Sequence, residues 1–245
     1  MSVKRVARDL LKRAGFHVQR GPANRFEAMD VALRTLHNHS YRPAVVIDCG
    51  ANMGQWFAVA SPVFQESRFH LIEPQEVCWT TLERAAGVRG RTQLHRTALS
   101  APGVSAVQMH RGGDSSGAFV MTATDSCAVS LTAPATTLDA LFADVTARDR
   151  ALVKMDLEGH ELTALQGASR LLEMAEVVIS EVHFFDVYST GRPTFQQLAS
   201  FLDERAFVLY DIAALNGRTR DQRLRQGDAV FVRRGSPMAE DVCLE

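Results

Sequence analysis

Ala44-Val45-Val46-Ile47-Asp48-Cys49-Gly50-Ala51-Asn52-Met53-Gly54 is the stretch on which the fold turns. Ala44 to Ile47 is unbroken apolar sequence, and Val45, Val46 and Ile47 are β-branched. A run of that kind suits a strand covered on both faces, as in a parallel sheet. An acid closes the run and a turn with two glycines follows. From Gln55 to Phe64 the pattern predicts a helix.

The same unit recurs outward from there. Phe69 to Ile72 reads as a second strand, Val77 to Ala86 as its helix, and Thr92 to Leu99 as a third strand. Ala151 to Met155 is the next clear strand, with a helix from about His160 to Leu172. Glu176 to Ser180 and a helix from Thr194 to Glu204 follow. Phe207 to Tyr210 and Ala229 to Val232 close the pattern without a helix between them, so they are expected to pair antiparallel. The polar, arginine-rich Asn216 to Gln226 between them reads as a loop. The expected fold class is therefore α/β: a doubly wound, Rossmann-like sheet, mostly parallel, with one late antiparallel strand. That is the arrangement of class I methyltransferases. Residues 103–135 interrupt the alternation and are expected to form a β-hairpin insertion before the fourth strand. An insertion of that length is a candidate substrate wall.

Upstream, residues 1–40 read as a helical segment packed on the 41–235 domain. A helix is expected from about Arg25 to His37. Val3, Val6, Ala7, Leu10, Leu11 and Ala14 form another helical stripe, flanked by Lys4, Arg5, Arg8, Lys12 and Arg13. A basic helix of this kind could lie on a membrane surface, but a helix packed on the domain with a solvated face is the preferred reading. Residues 236–245 read as a disordered tail.

The composition narrows the classes. The chain has 245 residues, 46% of them hydrophobic, which is enough for one domain with a real core. Lys and Arg number 27 against 28 Asp and Glu, a formal charge of −1, so no global pull toward nucleic acid is expected. Cys49, Cys78, Cys127 and Cys243 form no CxxC pair, which argues against a zinc knuckle or a disulfide framework and suits a reducing cytoplasm. No apolar run approaches the roughly 18 residues of a membrane span, and no secretory signal follows Met1. Homo-oligomers remain open.

A glycine turn after a first strand brings backbone N–H groups close to a ligand. Gly50 and Gly54 would allow the approach, and Asn52 tolerates left-handed backbone. Asp48 at the strand end would be expensive to bury alone; the methionine ammonium of a cofactor would be one partner. Glu73, nineteen residues after Gly54, stands where an acid accepts from both ribose hydroxyls. The turn reads Gly-Ala-Asn-Met-Gly and no G-x-G-x-x-G is present, which favours S-adenosylmethionine over a dinucleotide. The plainer alternative is that Asp48 and Glu73 only cap turns.

Val153-Lys154-Met155-Asp156-Leu157-Glu158-Gly159-His160-Glu161-Leu162, followed by Leu165-Gln166-Gly167-Ala168, resembles the FkbM family of methyltransferases. Glu73-Pro74, Thr97-Ala98-Leu99-Ser100, Thr137-Leu138-Asp139 and Ser180-Glu181-Val182-His183 look like further landmarks of that family. His160 departs from the family pattern, where a small residue is usual. The resemblance implies a class I fold, cofactor contacts that include Pro74 and Ala98, and methylation of a hydroxyl oxygen. Members of the family act on macrolides, sugars and other glycoconjugates, so a saccharide or small-molecule acceptor is expected.

Asp156, Glu158, Glu181 and His183 all fall at or just beyond the carboxyl ends of adjacent expected strands, the edge where ligands bind in open α/β sheets. Methyl transfer to an alcohol needs the acceptor's proton removed, and His183 is the natural base by its ordinary pKa. Glu181, two residues before it on the same face, could orient the acceptor, and Asp156 stands beside both. His183 could equally be a hydrogen-bonded wall residue. A magnesium or manganese ion on Asp156, Glu158, Glu181 and His183 is a second way to offset the acids, although Glu158 could instead cap the following helix. Lys154 is expected to pair with one of the acids. Asp114-Ser115-Ser116 could reach a ligand or be an ordinary turn. The remaining alternatives are an N-methyltransferase of protein or nucleic acid and a non-catalytic nucleotide-binding module. The first lacks a proline–aromatic motif after the fourth strand. The second is not excluded by an intact cofactor turn.

Overall fold

The computed structural model describes residues 24–110, 117–122, 125, 127–129, 131–186 and 191–240. The expected 3–14 helix, Asp114-Ser115-Ser116, Cys243 and residues 241–245 lie outside them.

The central sheet has seven strands: β1 (Val45–Cys49), β2 (Arg68–Ile72), β3 (Thr92–His95), β8 (Ala151–Met155), β9 (Ala175–His183), β10 (Phe207–Arg218) and β11 (Leu224–Arg233). Their spatial order is β10-β11-β9-β8-β1-β2-β3. The neighbours from β9 to β3 pair parallel, and β11 runs antiparallel to both β9 and β10. All five residues of β1 are buried, as are all five of β8. Their side chains alternate between two cores. Val45, Ile47 and Cys49 join Ala151, Val153 and Met155 under the 161–174 and 195–203 helices. Val46 and Leu152 join Trp56, Phe57, Leu82 and the buried face of the Arg25–Asn38 helix on the other side. The continuous apolar runs have this cause: each face of the sheet is covered.

Helices Arg25–Asn38, Gln55–Ala60, Glu76–Arg89 and Phe195–Asp203 stand near their expected places. Asn24 caps the first of them, accepting from the Phe26 and Glu27 N–H groups at 2.9 and 3.0 Å. The expected 160–172 helix is two, Glu161–Gln166 and Ser169–Met174, divided at Gly167-Ala168. Glycine is needed at the break, since a Cβ at Gly167 would lie 2.5 Å from the Ser100 carbonyl oxygen.

Four expectations need correction. The third strand stops at His95, and Ala98–Leu99 (β4) leaves for a second, four-stranded sheet. The insertion is therefore more than a hairpin. β5 (Ala106–His110), β6 (Phe119–Val120) and β7 (Leu131–Thr136) combine with β4 in the order β4-β7-β5-β6. The segment 216–226 is not a loop: β10 and β11 run through it to the Arg218–Leu224 pair. Its polarity reflects exposure of a strand pair, which long hairpins tolerate. Order also extends past Ser236, since Pro237–Glu240 form a helical turn with Met238 buried. Among the described residues, no helix is long and apolar enough to cross a membrane.

Candidate active site

A cavity of about 320 Å³ opens at the carboxyl ends of β1, β2, β8 and β9. It falls at the small end of the roughly 300–1,000 Å³ common for small-molecule sites. Met109, Ala118 and Val120 of the insertion line one side and acids line the other.

Gly50, Asn52, Glu73, Pro74 and Ala98 all stand in the cavity wall. Glu73 is only 3% exposed, and its two carboxylate oxygens accept from the backbone N–H groups of Asn52 (2.8 Å) and Gln75 (2.9 Å). Burial raises its pKa and these N–H groups oppose the rise. The carboxylate thus pins the glycine turn while lining the cavity. Asn52 meets the turn's demand with φ 48°. A carboxylate beside exposed turn backbone, with Ile72, Pro74 and Leu99 adjacent, fits a ribose with a planar base next to it.

Asp48 and Gly54 are not part of that wall. Asp48 is fully buried, directly opposite Lys154 in the β1–β8 register, and the Lys154 ammonium lies 3.0 Å from its Oδ1. Lys154 is thus the partner that the cofactor's ammonium was expected to be. The ammonium also reaches the Gly50 carbonyl at 3.2 Å and Asp156 at 3.6 Å. Burial works against the Lys154 charge, but Asp48 and Asp156 outweigh it and hold the pKa above its usual value. Gly50 is required by the chain itself, because a Cβ there would meet the Asp156 carbonyl oxygen at 1.9 Å.

The other end of the cavity gathers Asp156, Glu158 and Glu181, whose ligand-type oxygens all lie within 4.8 Å of one another. The strands explain this, since β8 and β9 run side by side and end together. A residue that sequence reasoning missed sits among them. Arg25 bonds Asp228 with its Nε (2.7 Å) and Nη2 (2.5 Å), and the same Nη2 lies 3.1 Å from Asp156 and 3.2 Å from Glu181. Asp228 faces Glu181 across the β9–β11 pair, so one guanidinium joins three strands. Only the apolar face of the Arg25 helix was visible in sequence; nothing in the pattern marked a partner 203 residues away.

The charges remain unevenly offset. Burial, then Asp156 and Glu158, push the Glu181 pKa well above its usual value. Burial, then Asp156 and Glu161, push Glu158 to about 7. Glu181 Oε1 accepts from the Gln226 side chain at 3.0 Å, whereas Oε2 is buried with no hydrogen bond among the described residues. Glu158 stands in left-handed backbone at φ 54° and does not cap the next helix. Glu161 accepts from the Leu157 (2.7 Å) and Gly159 (3.2 Å) N–H groups and so pins the turn ahead of that helix.

His183 is not brought to the cavity wall or into the acid cluster. β9 continues to it on the Glu181 face, but it pairs with Gln226 one step further out. Burial, then Arg225 and Arg192, lower its pKa. The four-residue metal set therefore reduces to three carboxylates. With a guanidinium already bound to two of them, the arrangement does not fit a divalent ion, and no step is derived through one.

The other landmarks fasten this edge. Asp139 accepts from the Arg170 and Leu171 N–H groups at 3.0 and 2.8 Å, capping the 169–174 helix. His160 lines the cavity 3.4 Å from the Ser100 hydroxyl, its pKa lowered to about 4 by burial and then Arg192.

The FkbM methyltransferase domain family matches residues 48–209 of this chain, well over half of it. The chain belongs to the FkbM methyltransferase family. Its sheet order is that of class I S-adenosylmethionine-dependent methyltransferases, as the resemblance in the sequence implied. No curated protein matches this FkbM chain in sequence. Among solved structures it is similar to a methyltransferase FkbM from Methylobacillus flagellatus KT (17% identity, TM-score 0.47), covering 78% of this chain and 43% of that one. The chain thus spans less than half of that protein's length. A Burkholderia thailandensis 1,6-didemethyltoxoflavin-N1-methyltransferase, with bound 1,6-didemethyltoxoflavin and S-adenosylhomocysteine, is 18% identical (TM-score 0.45; 95% and 88% covered). A putative RNA methyltransferase from Pyrococcus horikoshii is 15% identical (TM-score 0.47; 95% and 100% covered). Likenesses this distant say nothing about the acceptor of the FkbM chain.

Proposed function

We propose that this FkbM chain methylates a hydroxyl oxygen of a sugar, glycoconjugate or related natural product, using S-adenosylmethionine. The observation that carries the reading is the Glu181 carboxylate. Its Oε2 is buried with no hydrogen bond among the described residues, and Glu181 lines the cavity that Glu73 and the glycine turn also line. A buried acceptor without a donor is costly, and an alcohol donating its O–H there would satisfy it.

When bound, S-adenosylmethionine supplies an electrophilic methyl group. Glu73, the Gly50–Asn52 backbone and the adjacent apolar residues would hold its nucleoside. Glu181 orients the acceptor hydroxyl through Oε2 and takes its proton, and burial, which raises its pKa, makes the ionised carboxylate a stronger base. Asp156 and Asp228 keep Arg25 in place, and Arg25 fixes Glu181 Oε1, so that only Oε2 is left for the acceptor. His183 is not among the residues that line the cavity, so the base role is given to Glu181.

The test is a methyl-transfer screen over saccharides and natural-product alcohols, with calorimetry of S-adenosylhomocysteine in parallel. Glu181→Gln is expected to lower kcat by about 10²–10⁴-fold with product-cofactor affinity intact, and His183→Ala to retain most of its rate. Transfer to amines but not alcohols, or full activity in Glu181→Gln, would overturn this assignment.

A further inference from the structure

The turn of the β10–β11 hairpin is strongly basic. Between Asn216 and Gln226 stand Arg218, Arg220, Arg223 and Arg225 against a single acid, Asp221. The protein as a whole carries −1. None of the four arginines forms an ion pair with a carboxylate among the described residues. Asp221 is engaged by the Thr219 hydroxyl instead.

Two of these arginines are exposed and yet held. Arg218 Nη1 donates to the Gln222 carbonyl at 2.6 Å, which leaves most of its five N–H donors free of the turn. Arg223 lies 3.7 Å over the Phe185 ring. Arg225 lies across Gly217, where a Cβ would come within 3.2 Å of its Nε, and donates to the Gln226 side chain at 3.0 Å. A mere solvating surface does not need guanidinium groups propped in this way.

The hairpin is also continuous with the cavity. Gln226 lines the cavity and bonds Glu181. Arg218 pairs with Leu224, two residues further out, and Asn216 with Gln226. Side chains repeat every second residue, so Arg218 shares the cavity-side face of the ribbon with Gln226. At ~3.4 Å per residue it stands about 7 Å beyond the rim. That is about the length of one hexose ring.

We propose that the turn carrying Arg218, Arg220 and Arg223 binds a phosphate or pyrophosphate group carried by the acceptor, whose hydroxyl end enters the cavity. The substrate class becomes a phosphate-bearing saccharide or polyol. The inference rests on the reading of the cavity as the acceptor site, and the site it describes is bipolar. Acids receive the hydroxyl, and arginines at the rim receive the anion, through charge-assisted bonds that suit guanidinium geometry.

The probe is inorganic pyrophosphate, titrated calorimetrically into the full chain saturated with S-adenosylhomocysteine. The wild type is expected to bind it, with affinity falling as salt is raised. The variant carrying Arg218→Gln, Arg220→Gln and Arg223→Gln should bind at least about tenfold more weakly, with a flatter salt dependence. All three side chains are exposed, so its S-adenosylhomocysteine affinity and Tm should match the wild type. Absence of pyrophosphate binding in a wild type that binds S-adenosylhomocysteine overturns the proposal, as does equal binding by the variant. Co-sedimentation with phosphatidylglycerol vesicles in place of pyrophosphate binding overturns it in favour of a lipid surface. Failure to bind S-adenosylhomocysteine at all would instead sink the methyltransferase reading beneath it.

Discussion

Replacing Lys154 by methionine removes the cation that pairs with Asp48. Asp48 is wholly buried and Lys154 is 5% exposed. Their atoms stand 3.0 Å apart, and no other group bonds the Asp48 carboxylate among the described residues. Taking one partner from a buried ion pair costs about 3–5 kcal/mol, because the remaining charge is left in a medium that cannot solvate it. A domain with about 5–15 kcal/mol of total stability would lose a large part of it. With a urea slope of about 3 kcal/mol per M, the unfolding midpoint would fall by roughly 1–1.7 M. The loss should depend on pH in one direction. Burial already raises the Asp48 pKa and Lys154 holds it down. Without Lys154, the folded-state pKa rises further above the unfolded value. The folded protein then keeps its proton longer, so the deficit is small near pH 4 and grows as pH rises through the folded-state pKa. Asp48→Asn alone should cost less, since Lys154 keeps Asp156 and the Gly50 carbonyl. The double variant Asp48→Asn, Lys154→Met should recover much of the loss. Urea unfolding at pH 4.5 and 7.5 measures all of this. A Lys154→Met loss below about 1 kcal/mol at pH 7.5, or a double variant no better than the single, would refute the reasoning.

Two further outcomes follow from the same edge of the sheet. Gly50→Ala should lose more than about 4 kcal/mol or fail to fold, because its Cβ would lie 1.9 Å from a backbone oxygen at φ 78°; Gly90→Ala, also left-handed at φ 69° but with open space around it, should cost only about 1–2 kcal/mol in the same thermal melt. Glu158 carries a pKa raised to about 7 by burial, then Asp156 and Glu161, so its ionisation opposes folding as pH rises from about 4.5 to 7. Glu158→Gln should therefore be more stable than the wild type at pH 8, by on the order of 1–2 kcal/mol, with the advantage gone at pH 4. An advantage that persists at pH 4 would place its origin elsewhere.

What was legible in the sequence follows the range of the interaction concerned. β1 and β8 announce themselves because covering both faces of a strand leaves no place for a polar residue except at its end. Glu73 was found for a similar reason: strand ends in a doubly wound sheet meet at one edge, so spacing alone places them. The hairpin at 216–226 was missed because an exposed ribbon needs no apolar residues, and its composition is then that of a loop. The break at Arg96-Thr97 was missed because the strand pattern runs through it, while the reason for the break lies in β7, which takes Ala98 and Leu99 as its neighbours. Gly50 was read correctly as a position without room for a side chain, but the obstruction is Asp156 backbone rather than a ligand.

The charges at the site show where local reading ends. Asp48, Asp156, Glu181 and Asp228 could each be recognised as an acid at a strand end or in a strand, and any of them could have faced a metal, an ammonium or a lysine. Which partner each acid has depends on register. Asp48 lies opposite Lys154 because β1 and β8 align Ile47 with Val153 and Cys49 with Met155. Asp228 lies opposite Glu181 by the equivalent alignment of β11 with β9. Once those registers are set, Lys154 is committed to the inner pair. The outer acids then need a cation from outside the sheet, and the N-terminal turn of the Arg25–Asn38 helix is packed where it can supply one. Arg25 satisfies Asp228 and Asp156 and one oxygen of Glu181, and Gln226 shares that oxygen. The remaining oxygen, Oε2, is buried with no hydrogen bond among the described residues, on a side chain that lines the cavity. A network that leaves an oxygen of a buried, cavity-lining glutamate without a donor among the described residues is what the proposed acceptor hydroxyl would complete.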